Sequence, residues 1–232
     1  EKDMRERFFK LRDKLLNTTP KICIERAKIV TEAYKKYDAY PNIEKRAMAL
    51  ADVLRNMTIY IEEEQLLAGN QASSNRAAPL FPEYAFAYIL DELDDLEKRS
   101  SDKFTITEEN KKVLREILPW WEGKTLKDRA IAMQPQEVLD DRVTGVLGWQ
   151  GNVSTGEGHI VPDYDMVVRL GFAGLRDKIQ KHIDELDLSK PQDLEKLTFY
   201  RACKAIIDGC LDYIKRYCIL AEEQAEQCKD AA

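Results

Sequence analysis

Phe199-Tyr200-Arg201-Ala202-Cys203-Lys204-Ala205-Ile206-Ile207-Asp208-Gly209-Cys210-Leu211-Asp212-Tyr213-Ile214 lies inside a helical pattern running from about residue 192 to 228, set off by Ser189-Lys190-Pro191. Globular helices average about 11–12 residues, so a helix of this length needs neighbours along both sides. Cys203, Cys210 and Cys218 fall roughly on one stripe with Ile206 or Ile207, Leu211 and Ile214. Free cysteine packs as a small apolar residue, and this stripe is read as core. A nucleophilic thiol would need an activating base beside it, and none is visible locally.

Working outward, residues 3 to 16 place Phe8, Leu11, Leu15 and Leu16 at helical intervals. Thr18-Thr19-Pro20 breaks that helix and is expected to start another, with Pro20 in its first turn, running to about Lys36. Asn42 reads as the N-cap of a third helix ending near Asn56, with Ala47, Leu50, Val53 and Leu54 on one face. Thr58–Ile61 and Gln65–Asn70 read as two short strands or extended segments around the polar turn Glu62-Glu63-Glu64. Residues 71 to 82, with Pro79 and Pro82, read as a packed loop. A helix from about Glu83 to Arg99 carries Phe86, Ile89, Leu90, Leu93 and Leu96, and Thr107-Glu108-Glu109 opens another through Leu118. Pro119-Trp120-Trp121 ends it, with the tryptophans read as packing anchors. Residues 122 to 162 are less regular, and Pro162-Asp163-Tyr164 then leads into a helix to about Leu186. The fold class is mainly α with a few short strands.

The 232 residues carry 36 Lys and Arg against 42 Asp and Glu, a net charge of −6, which argues against a nucleic-acid partner. At 44% hydrophobic and 34% charged, the composition is that of a globular chain. Such a length can bury roughly 70% of its unfolded surface without metal or disulfide. No apolar run reaches the roughly 18 residues a membrane span needs, and the charged Glu1-Lys2-Asp3-Met4-Arg5 does not resemble a signal peptide. A cytoplasmic location without membrane attachment is expected. Cys23, Cys203, Cys210, Cys218 and Cys228 form no CxxC pair, which fits reduced thiols.

The segment richest in chemistry is Gly148-Trp149-Gln150-Gly151-Asn152-Val153-Ser154-Thr155-Gly156-Glu157-Gly158-His159-Ile160-Val161-Pro162-Asp163-Tyr164. Its glycines let backbone approach a ligand closely, and its polar residues could orient a small hydroxylated or charged molecule. The same pattern also fits a structural polar loop with satisfied partners, and no phosphate-binding fingerprint is present. His159 could exchange a proton with a substrate hydroxyl or bond to backbone. His182, among Lys181, Asp184 and Glu185, reads as part of a solvated face. No set of residues has the spacing of a zinc site.

Seven segments in order resemble the N-terminal part of glycyl radical enzymes. They are Ile22-Cys23-Ile24-Glu25-Arg26-Ala27, Thr31-Glu32-Ala33-Tyr34, Leu67-Ala68-Gly69-Asn70, Phe81-Pro82-Glu83, Trp120-Trp121-Glu122-Gly123-Lys124-Thr125, Gly158-His159-Ile160 with Pro162-Asp163-Tyr164, and Phe199-Tyr200-Arg201-Ala202. The similarity is to the pyruvate formate-lyase-like branch that includes glycerol and propanediol dehydratases and choline trimethylamine-lyase. It implies that residues 1–232 are the helical N-terminal portion of an α/β barrel in a longer protein. In that family a thiyl cysteine sits in a Gly-Cys-Val-Glu-like motif and a glycyl radical in an Arg-Val-Ala-Gly-Tyr-like motif. Neither is assigned to this chain, and Gly209-Cys210, followed by Leu211-Asp212 in a helical pattern, is not taken as the catalytic pair.

The resemblance further implies radical dehydration or C–X bond cleavage of a small hydroxylated substrate, with His159, Asp163 and Asn152 as substrate-binding residues. It implies no directly bound cofactor and no metal in this chain. A radical SAM activating enzyme would install the glycyl radical in the complete enzyme, which is expected to be a homodimer, and this chain alone is expected to be inactive. Two other readings stay open: an acyltransferase like pyruvate formate-lyase, and a non-catalytic helical scaffold.

Overall fold

A computed structural model describes residues 2–146 and 161–228. In chain order the elements are α1 (Lys2–Asn17), β1 (Lys21–Cys23), α2 (Glu25–Lys36), α3 (Asn42–Asn56), β2 (Ala77–Pro79), α4 (Ala87–Glu92), α5 (Glu108–Ile117), a 3-10 turn (Leu118–Trp121), α6 (Leu126–Ala132), α7 (Gln136–Val143), α8 (Tyr164–Asp184) and α9 (Pro191–Gln227). Two compact units divide the chain: Glu1–Pro79 with Pro162–Ala232, and Leu80–Val161. Among the described residues no helix is long and apolar enough to cross a membrane.

The first unit is built on α3 crossing α9, with α2 against α3 and α8 against α9. Small residues make the central crossing: Ala47 and Ala51 on α3, and Ala202 and Gly209 on α9, are buried. A Cβ placed on Gly209 would lie 2.7 Å from the Ala51 Cα and 2.9 Å from its Cβ, so the helices meet backbone to backbone there. Polar groups clamp the same interface. Arg216 donates to the carbonyls of Leu54 (2.7 Å) and Met57 (2.6 Å), satisfying carbonyls at and just beyond the α3 terminus. Arg55 pairs with Asp212 at 2.6 Å.

Several local expectations change. No helix begins at Pro20; Lys21–Cys23 instead pairs in parallel with Ala77–Pro79, inside the segment expected to be a loop. The Lys21 N–H donates to the Arg76 carbonyl at 3.1 Å, a tertiary bond that outcompetes helix initiation. Of the two alternatives for Thr58–Ile61 and Gln65–Asn70, neither segment forms a strand, because side chains satisfy their backbone. Glu25 accepts from the Thr58 N–H (3.0 Å) and hydroxyl (2.6 Å), and Gln65 Oε1 accepts from the Glu62 N–H (3.0 Å). The third helix starts at Asn42 itself, with Pro41 in the cap position and no side-chain cap. Helix α8 is broken at Gly171, where φ is 63° and ψ 172°.

Helix α1 forms as its spacing predicts, and Phe8, Leu15 and Leu16 are exposed. Its basic residues hold it in place: Arg7 donates to the Glu64 carbonyl (2.6 Å), while Lys10 pairs with Glu64 (3.1 Å) and Lys14 with Glu62 (3.4 Å).

In the second unit, the helix expected over Glu83–Arg99 is confined to α4, followed by turns. The Glu83 and Tyr84 carbonyls accept from Leu126 N–H (3.1 Å) and Lys127 N–H (3.0 Å) at the start of α6, and are thereby withdrawn from helix formation. Ile89, Leu93 and Leu96 are nevertheless buried, with Leu114, Leu118 and Trp121. Thr107 caps α5 by accepting from the Asn110 N–H. Thr125 and Asp128 form a reciprocal capping box on α6. The described part of 122–162 thus contains two helices, α6 and α7, where less regular chain was expected.

Gly209→Ala forces a methyl group into the α3–α9 crossing. It is expected to cost about 1–3 kcal/mol, the usual penalty for overpacking, read as a lower urea midpoint with an unchanged slope.

Candidate functional site

Of the three predicted substrate-binding residues, His159 and Asn152 lie outside the described residues, as does most of the Gly148–Asp163 segment. Asp163 is described and exposed, and its Oδ1 accepts from the Met166 N–H at 2.9 Å, capping α8. That bond fixes the carboxylate at the helix start, where the positive end of the helix dipole favours it.

The other candidates have structural settings. His182 stacks on Tyr200, ring centroids 5.4 Å apart, and its Nδ1 lies 3.8 Å from Glu185 on a side-chain surface open to solvent. Cys203 and Cys210 are half-buried, and burial pushes both thiols up, away from the thiolate a nucleophile requires. Cys218 is exposed, not core as its place on the stripe suggested. The long helix α9 has only one side covered at that level. Cys23 is buried and accepts from the Ser73 N–H at 3.4 Å. Among the described residues no group of His, Cys, Asp and Glu could hold a metal ion.

Gly209-Cys210 lies inside α9, closed against Ala51, so it is not a loop that could carry a catalytic cysteine. Arg142-Val143-Thr144-Gly145 comes nearest to the radical-glycine pattern but continues to Val146 where that pattern has tyrosine. It forms the end of α7: the Gly145 N–H donates to the Arg142 carbonyl (3.0 Å), and Gly145 has the left-handed φ of 77° usual after a helix. Val143 and Val146 on either side are exposed. These residues do not fit a buried radical site.

One constellation was not anticipated. The Asn70 N–H donates to the Tyr213 hydroxyl (3.0 Å), which donates back to the Asn70 carbonyl (2.7 Å). The Asn70 side-chain amide donates to the carbonyls of Thr58 (2.8 Å) and Ala72 (2.7 Å), and its Oδ1 accepts from the Tyr217 hydroxyl. A single asparagine therefore ties both ends of the 58–72 segment to α9. Tyr213 and Tyr217 are one helical turn apart, which puts both hydroxyls on one face. That spacing, together with the Gly69-Asn70 pair, was the available signal. Burial, followed by the hydrogen bond with Tyr213, pushes the Tyr217 phenol up.

The chain belongs to the pyruvate formate lyase-like family, whose model matches residues 4–232. It is 37% identical over 206 residues to the probable dehydratase YbiW of Escherichia coli strain K12, covering 89% of this chain and 25% of that protein. Its structure is similar to the glycerol-bound form of the B12-independent glycerol dehydratase from Clostridium butyricum, with a TM-score of 0.91 and 31% identity over 97% of this chain and 29% of that one. A glycyl radical enzyme from Archaeoglobus fulgidus matches with a TM-score of 0.85 and 31% identity over 94% of this chain and 28% of that one. The chain thus spans about a quarter of the length of the curated relatives it matches. The mainly helical fold with few strands is the fold these structures have over the matched region.

Tyr217→Phe removes the hydroxyl that Asn70 Oδ1 accepts from and is expected to cost about 1–3 kcal/mol near neutral pH. Because the folded-state pKa of Tyr217 is raised, this contribution is fully present below the ordinary tyrosine value of about 10 and is lost as pH rises above it. Unfolding free energies measured from pH 8 to 11 should therefore fall more steeply for the parent protein than for the variant.

Proposed function

We propose that this chain is the N-terminal portion of a glycyl radical enzyme that dehydrates, or cleaves a C–X bond in, a small hydroxylated molecule. The observation that carries this reading is the match over nearly the whole chain, in sequence and in structure, to a probable dehydratase and a glycerol dehydratase. Those similarities favour dehydration over acyl transfer. In this reading the described helices flank an α/β barrel completed by polypeptide beyond the chain.

Among the described residues, Gly209 and Gly145 are committed to helix packing and helix termination, and burial raises the Cys203 and Cys210 thiols. In this reading the radical glycine and the thiyl cysteine belong to the remaining polypeptide. A radical SAM activating enzyme would install the radical, and the complete protein would be a cytoplasmic homodimer. The part assigned to this chain is to hold substrate. The His159 imidazole accepts from or donates to a substrate hydroxyl and can carry a proton at neutral pH. Asn152 supplies an amide, and Asp163, with Oδ1 engaged by the Met166 N–H, keeps Oδ2 for a substrate hydroxyl. Fixing the hydroxyl before the chemical step contributes orientation.

In the complete enzyme, His159→Ala should lower turnover by about 10²-fold or more, the usual share of a positioned acid–base group. The glycyl radical signal in electron paramagnetic resonance should keep its amplitude. Unchanged turnover would remove His159 from the site. A complete protein that acquires no glycyl radical when treated with an activating enzyme would overturn the reading as a whole.

A further inference from the structure

Helix α8 has two parts that meet at Gly171. Beyond it the helix is fixed to α9: Lys204 donates to Gln180 Oε1 at 2.6 Å, and His182 stacks on Tyr200 with ring centroids 5.4 Å apart. Before it lie the two turns of residues 164–170, whose hydrogen bonds and ion pairs, among the described residues, run within α8 and the residues that lead into it. Asp163 Oδ1 accepts from the Met166 N–H (2.9 Å), Arg169 pairs with Asp165 (2.6 Å), and Lys178 reaches back to Met166 Sδ (3.7 Å). These turns make a short rigid piece, and the direction it takes from the anchored part is set at one residue.

Gly171 has φ 63° and ψ 172°, a combination essentially reserved for glycine. Space does not require the glycine, since a Cβ there would have nothing within 4 Å among the described residues. Glycine is also a poor helix former, so the backbone angles of the corner are what the position provides. Gly174 gives the corner clearance: a Cβ there would come 3.1 Å from Leu170 Cβ and press on the last residue before the corner. Gly171-Phe172-Ala173-Gly174 thus supplies one glycine for angle and one for room.

We infer that Gly171 is a positioning residue for the Asp163 carboxylate. The inference rests on the proposed function, in which Asp163 meets a substrate hydroxyl. Asp163 precedes the corner by eight residues, about 12 Å at the helical rise of about 1.5 Å per residue. Over that arm a change of direction of about 10° carries the carboxylate about 2 Å, and a misplacement of about 1 Å can cost about 10²-fold in rate. Alanine at 171 favours helical angles and meets no obstacle among the described residues. Gly171→Ala therefore straightens α8 and swings Asp163 away, while the part fixed to α9 stays in place.

The test compares the complete enzyme with its G171A, D163N and doubly substituted variants. Asparagine keeps the helix cap at 163 and removes the carboxylate. Activity is expressed per glycyl radical, counted by electron paramagnetic resonance, and crystal structures read the position of residue 163 against α9. G171A should lower kcat/KM by about tenfold or more and displace Asp163 by about 2 Å or more. In the D163N background the same substitution should cost less than about twofold, because its effect passes through the carboxylate. Gly174→Ala, which keeps a helical backbone and presses on Leu170, is the second variant should G171A not fold; it should show a smaller loss with the same dependence on Asp163. Parental kcat/KM in G171A, an unmoved Asp163, or an equal loss with and without the carboxylate each overturns the inference, the last because a merely destabilised helix would behave so. A D163N enzyme with parental kinetics overturns it as well, by taking the carboxylate out of the site. If the complete protein acquires no radical, the enzyme reading fails, and the crystallographic comparison alone decides whether Gly171 sets the position of Asp163.

Discussion

The contact between Ala51 and Gly209 leaves no room for a methyl group, and the rest of the first unit is arranged around that closeness. Because α3 and α9 meet backbone to backbone, Arg216 reaches the carbonyls at the end of α3, and Arg55 reaches Asp212. Tyr213 and Tyr217, one and two turns further along α9, are then at the right distance to hold Asn70. A wider crossing would separate all of these pairs together. Buried polar groups separated from their partners are costly, so a packing contact between two small residues sets the geometry of a hydrogen-bond network.

That network explains why the 58–72 segment is ordered without regular structure. Backbone groups that a strand would pair are satisfied by Glu25, Gln65 and Asn70. Alternating apolar residues such as Ile59 and Ile61 carry the period of a strand, yet among the described residues no neighbouring strand receives them. The parallel pair forms instead between Lys21–Cys23 and Ala77–Pro79. Neither segment has a distinguishing pattern over three residues, and their pairing depends on contacts far apart in sequence.

Where local chemistry decides, the sequence was informative. Thr107 caps α5, the bounds of α3 and α9 follow their apolar spacing closely, and Ile89, Leu93 and Leu96 are buried even though their helix is short. Where tertiary bonds decide, it was not: Glu83 and Tyr84 give their carbonyls to α6, so the expected long helix does not form. Composition and spacing could not distinguish Gly209, needed for its missing side chain, from Gly171, needed for its backbone angles. Of the candidate site, Asp163 is placed as a helix cap, and the ordered motifs identified the family while the polar loop by itself left two readings open.

The order in which the chain is made gives the crossing a further consequence. Gly209 follows Ala51 by about 160 residues, and the whole second unit lies between them. At a synthesis rate of about 5–20 residues per second, α3 waits roughly 8–30 s on the ribosome before α9 emerges. During that interval the surface around Ala47 and Ala51 is uncovered, while Leu80–Val161 is already free to collapse on its own. Within this part of the protein, the α3 surface is therefore open to capture or misassembly after the second unit has been made and before α9 arrives.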